Sequence, residues 1–284
     1  MRRRYLLYGL LTMFISCENP AITDDEDAEE LNGNLKISIF QLEKTPFTAL
    51  TRTTAAADDC TRLSYAVYTM DGTRVKQINQ EKTEAHFGTA SFQLEPSTYQ
   101  LVVVAHSSNG NPTMTNPAKI QFSNAQGYSD TFLCREVVTV EEEPVELDLT
   151  LKRITSLCRF VITDDYPADA ARIKFYYTGG SGTFDAKTGL GCVNSKQEQT
   201  FDLTSGQKQF DLYTFLHSTE GTVHLQVTAY DSKDNVLCER TFDVPMQQNH
   251  ITWLSGDYFT GGSGSTNISI TINTEWNGES HLTF

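Results

Sequence analysis

Apolar and polar residues alternate along most of this chain, and a period of two is the pattern of a strand with one buried face. Leu35, Ile37 and Ile39 are separated by Lys36 and Ser38. The same reading predicts strands over 63–70, 74–78, 87–94 and 99–105, then 131–133, 137–140 and 145–151. It resumes over 154–162, 173–177, 201–203, 210–215, 223–230, 236–244 and 251–259. Asp71-Gly72 between two such runs is a hairpin turn signal, and the unbroken Val102-Val103-Val104 predicts a strand buried on both faces. Turn signals recur every 8–12 residues or so, the spacing of an all-β sandwich. No helical period persists for three turns. The predicted fold class is all-β.

At 284 residues with 39% hydrophobic and 11% aromatic side chains, the chain can bury more than one core. Glu141-Glu142-Glu143-Pro144 resembles a break, yet 145–151 alternates as a strand that can close a first sandwich. The junction is therefore placed at Leu151-Lys152-Arg153, giving domains 34–151 and 152–284 of about 115–135 residues each. A soft echo links the halves: 63–75 and 223–236 both read strand, Asp-containing turn, strand.

The N-terminus carries Arg2-Arg3-Arg4, an eleven-residue largely apolar run from Tyr5 to Ile15, then Ser16 and Cys17. This is the layout of a leader peptide over 1–16, too short for the ~20 residues a membrane-crossing helix needs. Phe14-Ile15-Ser16-Cys17 resembles a bacterial lipobox, with Phe14 where leucine is usual, and the resemblance implies acylation of Cys17. The plain alternative is an ordinary cleaved leader. Residues 17–33 contain Asp24-Asp25-Glu26-Asp27-Ala28-Glu29-Glu30, an acidic run that repels itself and reads as a solvated tether. It resembles the surface-display signal of Bacteroides-group lipoproteins, although it starts several residues later. A mere acidic linker is the other reading.

Charge and motifs exclude several functions. With 22 Lys+Arg against 36 Asp+Glu the net charge is −14, which rules against a nucleic-acid binder. Besides Cys17, Cys60, Cys134, Cys158, Cys192 and Cys238 are widely spaced and form no CxxC pair, so no zinc site is indicated. Most read as small buried hydrophobes, and one disulfide stays open. The six histidines lie scattered, and the loop 231–235 lacks the glycine and glutamate of an EF-hand. Ser205–Lys208 and Lys187–Gly189 match SxxK and KTG in reversed order, without the intervening SDN, and are read as coincidence. Gly179-Gly180-Ser181-Gly182 reads as a flexible hairpin loop. No cofactor, metal ligand or catalytic residue is nominated. The chain is read as a non-enzyme, with a spatially assembled carboxylate pair left open.

Four further stretches carry a family resemblance. Leu94-Glu95-Pro96-Ser97-Thr98-Tyr99 resembles the strand entry of transthyretin-like domains, with Ser97 replacing glycine. Leu149–Ile154 followed by Phe160-Val161-Ile162 resembles the interdomain segment of Bacteroidales fimbrial lipoproteins. Val244–Phe259, with Asn249 ahead of a strand ending Gly256-Asp257-Tyr258-Phe259, resembles their late strand signature, and Trp276-Asn277-Gly278 echoes a fimbrillin ending. The chain is thus similar to the fimbrillin and fimbrial-anchor lipoprotein superfamily. The resemblance implies two tandem transthyretin-like sandwiches on an outer-membrane lipid anchor facing the cell surface. Its implied partners are other fimbrial subunits, reached by β-strand exchange.

In stem subunits of that superfamily an arginine-specific protease removes the first strand. Here the implied site is Arg52, in Leu50-Thr51-Arg52-Thr53-Thr54, with Arg62 second. The alternative is that the loop stays intact and Leu35–Phe40 remains the first strand of the first domain, as in anchor subunits. After the Gly/Ser linker 260–265, Ile268, Ile270 and Ile272 alternate with polar residues. That segment is either a donor strand for a neighbouring subunit or the closing strand of the second sandwich. A rival reading is a glycan-binding surface lipoprotein of a nutrient-uptake system, with Tyr176, Tyr177 and Trp253 as its aromatics.

Overall fold

The alternating segments are strands in the computed structural model, which describes residues 33–43, 60–123, 127–260, 267–271 and 279–283. Among the described residues there is no helix. The first half contains β1 (Leu35–Glu43), β2 (Arg62–Thr69), β3 (Arg74–Glu81), β4 (Thr89–Phe92), β5 (Ser97–His106), β6 (Ile120–Gln121), β7 (Thr131–Val140) and β8 (Val145–Arg153). Seven of them form one sheet in the order β3-β2-β5-β7-β8-β1-β4. β7 meets β8 only at Phe132–Arg153 and Leu133–Lys152, so the sheet turns a corner there. One core holds Leu63, Tyr65, Leu101 and Val103 from one limb with Leu35, Ile37, Phe92 and Leu149 from the other. The two limbs are therefore the layers of a sandwich.

The second half contains β9 (Ser156–Ile162), β10 (Ala170–Gly180), β11 (Thr183–Asp185), β12 (Leu190–Gly191), β13 (Ser195–Asp202), β14 (Gln209–Thr214), β15 (Glu220–Asp231), β16 (Val236–Gln247) and β17 (Ile251–Gly256). β18 (Asn267–Thr271) and β19 (Glu279–Thr283) follow. Its layers run β13-β10-β15-β16 and β14-β9-β17-β19-β18. Phe160, Leu212 and Leu254 of the second layer pack with Phe175, Leu225, Val227 and Val244 of the first.

The two sandwiches share one strand order. β3-β2-β5-β7 answers to β13-β10-β15-β16, and β4-β1-β8 answers to β14-β9-β17. In each, the first strand lies antiparallel to one neighbour and parallel to the last strand of its sandwich. The repeat corrects the sequence echo. Residues 63–75 contain β2 and β3, whose counterparts are β10 and β13, whereas 223–236 lies on β15 and β16, the counterparts of β5 and β7.

Residues Leu31–Phe284 form one compact unit, and a third core explains why. The outer face of β2, β5 and β7 presents Ala66, Tyr68, Val102, Val104 and Leu133 to Ile120, Phe122, Tyr128, Phe184 and Phe215. Val102, Val103 and Val104 are thus buried on both faces, as their run predicts. β6 of the first half pairs with β11 of the second, seaming the joint. Arg153, whose side chain is 3% exposed, binds Asp130 through Nε and Nη2 at 2.8 Å and reaches Asn249 at 3.3 Å. Burying that cation with a hydrogen-bonded partner locks the linker between the sandwiches.

Other sequence expectations need correction. β7 is one continuous strand and not the two short ones that alternation predicts, because β5 supplies an unbroken backbone partner from Ser97 beside Val140 to His106 beside Thr131. β13 begins at Ser195, since a polar stretch also forms a strand when its neighbour β10 supplies the pairing. Gly179–Gly182 is no flexible loop: Ser181 is fully buried and exchanges backbone hydrogen bonds with Phe215. A Cβ on Gly180 would sit 2.0 Å from Thr214 Oγ1, so this position needs glycine for close approach.

Candidate functional site: strand edges and chain ends

The entry of the first strand is stapled on both sides. The Asn34 side-chain amide donates to the Leu94 carbonyl at 2.8 Å and its oxygen accepts the Leu94 N–H at 2.9 Å. The Asn34 carbonyl takes the Val145 N–H at 2.8 Å. A Cβ on Gly33 would lie 2.4 Å from the Phe92 carbonyl oxygen, so the chain enters through a gap only glycine fits. Beyond this point β1 lies parallel to β8, from Leu35 beside Val145 to Glu43 beside Lys152, and antiparallel to β4. Leu35 and Ile37 reach the core while Lys36 faces Glu146 at 3.8 Å.

The second sandwich closes on another clamp. Asp164 accepts the backbone N–H groups of Tyr258, Phe259 and Thr260 at 2.7–2.8 Å and the Thr260 hydroxyl at 3.1 Å. Partial burial works against its charged form, but these four bonds win and hold the carboxyl below its ordinary range. Tyr258 is fully buried, and its hydroxyl donates between the Val227 and Cys238 carbonyls at 2.9 and 3.0 Å. The chain therefore leaves the sandwich from a fixed turn. Further on, β19 pairs parallel with β17, and β18 pairs antiparallel with β19 at the outer edge of the same sheet.

Of the nominated residues, Cys17, Arg52 and Ile272 lie outside the described residues. Ile268 and Ile270 lie in β18, opposite Leu282 and Ser280. Arg62 opens β2, whose backbone is paired with β3 and β5, and its side chain meets Glu81 at 2.7 Å. Of the five described cysteines, Cys60, Cys134 and Cys158 are buried, Cys238 is half-buried and Cys192 is exposed. Burial pushes the Cys134 thiol up to about 11 and the Cys158 thiol to about 12, so neither is nucleophilic. The KTG triplet sits in a turn, and the SxxK stretch starts in one and continues as irregular chain.

The aromatics of the glycan reading are not brought together. Tyr177 is buried in the second core, its hydroxyl donating to the Tyr213 carbonyl at 3.1 Å, while Tyr176 points to the opposite face of the same sheet. Trp253 belongs to the other layer, where the Arg159 guanidinium lies 4.9 Å over its ring and pairs with Asp211 at 2.7 Å. Among the described residues no group of three or more His, Cys, Asp or Glu could hold a metal ion. His106 is fully buried at the joint, edge-on to Phe122 at 4.9 Å, and neither ring nitrogen has a well-placed hydrogen-bond partner. Burial first, then Arg62, pushes its pKa down to about 4.

A family of unknown function, DUF6562, matches residues 26–283. The chain belongs to this family. A comparison with curated proteins found no match. Among solved structures, this DUF6562 member is similar to a candidate adhesin from Bacteroides ovatus, at 17% identity and a TM-score of 0.47, covering 83% of this chain and 88% of that one. It is also similar to a fimbrial assembly protein from Parabacteroides distasonis, at 14% and 0.37, covering 78% and 90%. The third is the fimbrial anchor protein Mfa2 from Porphyromonas gingivalis, at 10% and 0.40, covering 72% and 80%.

Proposed function

We propose that this protein is a cell-surface lipoprotein that anchors or assembles a fimbria-like filament, held to the outer membrane through acylated Cys17. The observation that carries the reading is the pair of specialised chain ends on one fused body. At one end an acidic tether runs into the stapled first strand. At the other, two strands follow the sandwich behind a Gly/Ser run and lie at a sheet edge. A strand edge offers backbone hydrogen bonds for affinity and alternating side-chain positions for register, so filament partners are joined by strand addition. The seating of β1 between two neighbours favours the anchor role, in which that strand stays and Arg52 is left uncut. Cys17→Ser tests the anchor directly: the protein leaves the membrane fraction for the soluble or secreted one. Mass spectrometry of the mature surface protein tests the role, since an N-terminus at acylated Cys17 supports the anchor and one at Thr53 supports a processed stem.

A further inference from the structure

We propose that both sandwiches are mechanical clamps, built so that tension between the two chain ends loads their parallel ladders in shear. The proposal rests on the reading above only for the source of that tension, a membrane tether at one end and a filament partner at the other. A pull on the tether enters the first sandwich at the N-terminal end of β1 and leaves at the C-terminal end of β8. These two strands are neighbours and parallel, so their N-terminal ends lie at the same end of the sheet. Pulling one by its N-terminus and the other by its C-terminus slides them past each other. Every hydrogen bond from Leu35–Val145 to Glu43–Lys152 then takes strain together.

The second sandwich repeats the arrangement. Tension enters at Ser156 of β9 and leaves at Gly256 of β17, and these strands are parallel neighbours from Leu157–Ile251 to Ile162–Gly256. An antiparallel first–last pair would have put entry and exit at one end and opened like a zipper, one bond at a time. Three fastenings stand where the pull changes element. Asn34 binds both flanking segments at the entrance, through Leu94 and Val145. Arg153, Asp130 and Asn249 fix the linker between the sandwiches. Asp164 holds Tyr258, Phe259 and Thr260 at the exit.

Single-molecule pulling on the mature chain from Glu18 onward tests this. One version carries handles at Glu18 and at Ser263 in the Gly/Ser run. The other moves the second handle to the exposed Glu141–Pro144 turn, which pulls β1 and β8 apart from their shared end. The terminal geometry is expected to unfold at a peak force at least about twofold above the peeling geometry, because forced unfolding reads the barrier and not equilibrium stability. Equal or lower force in the terminal geometry overturns the proposal. Should the turn insertion misfold, Asn34→Leu with terminal handles decides: a clear fall in peak force supports the clamp, and an unchanged peak overturns it. Failure of the filament reading, by Cys17→Ser or mass spectrometry, leaves the force ratio standing, and the reverse also holds.

Discussion

The two sandwiches run the same seven strands in the same order, yet they differ beyond their last strand. The far side of β8 touches β7 at two residue pairs and is otherwise unpaired by any described strand, whereas β17 has β19 beside it and β18 outside that. A sandwich of this topology is thus complete without the C-terminal pair, since the first one shows no counterpart to it among the described residues. The pair is an addition to a finished unit, and β1 is an integral part of one. The difference predicts unequal consequences when each end is disturbed.

The largest effect is expected from Ile37→Asp. Ile37 is 1% exposed, and a carboxylate there has no partner, so the change should cost at least about 4 kcal/mol and unfold the first sandwich. Loss of the cooperative melt in circular dichroism checks it. A variant that melts normally would mean β1 is no more integral than β18. Next is Arg153→Ala, which takes the cation from Asp130 at the joint and leaves that carboxylate, 23% exposed, with the Thr155 hydroxyl still beside it, so the change should cost about 3 kcal/mol. Two resolved transitions in calorimetry, one per sandwich, are the expected readout. A single transition at the original temperature would show that the aromatic joint suffices without the ion pair.

How much of this was legible in sequence follows from where each signal lies. β1, β5 and β15 announce themselves by local alternation, and Val102-Val103-Val104 reports a second buried face in three letters. The order of strands was not legible, because a hairpin looks alike wherever it sits, and the echo accordingly joined elements that do not correspond. Asn34 and Asp164, which define the two ends, had no local signal at all. Their bonding partners lie 60 and 94 residues away, and a lone Asn or Asp ahead of a strand is ordinary turn chemistry. The polar strand β13 and the short β6, β11 and β12 exist through their neighbours, which one-dimensional periodicity does not see.

Acid sharpens the contrast through His106, which only the joint contains. In the unfolded chain an ordinary histidine takes its proton near pH 6.5, while the folded joint resists until about 4. Stability is therefore full above pH 6.5 and is lost as pH falls toward 4, by up to about 3 kcal/mol. Arg62 on β2 is the cation that opposes protonation, and Phe122 faces the ring from the second side. His106→Phe should flatten the pH dependence of the melting temperature between pH 4 and 6.5. If the slope persists, the acid sensitivity lies elsewhere.

Asp164→Asn should cost less, about 1 kcal/mol, because the amide still accepts through one oxygen while the charge that draws three N–H groups is gone. Its carboxyl is held below the ordinary range, so its contribution is present at neutral pH and is lost as pH falls below about 4. The deficit of the variant, measured by denaturant titration, should accordingly shrink in strong acid.

The smallest effect on folding is expected from ending the chain after Thr260, and it separates the two readings of the C-terminal segment. If β18 and β19 are an addition, the truncated protein keeps Asp164 closed on Tyr258, Phe259 and Thr260, and its second core retains Leu254 and Tyr258. The melting temperature should then fall by no more than about 4 °C, the equivalent of about 1 kcal/mol in a chain of this size. Assembly with a partner subunit should stop all the same, because the strands that would make the junction are removed. If the pair closes the sandwich, β17 loses a neighbour that its fold requires, and the melt should drop sharply or vanish. The first sandwich already argues against that outcome: β8 holds the position of β17 with no such neighbour among the described strands, and its core is closed.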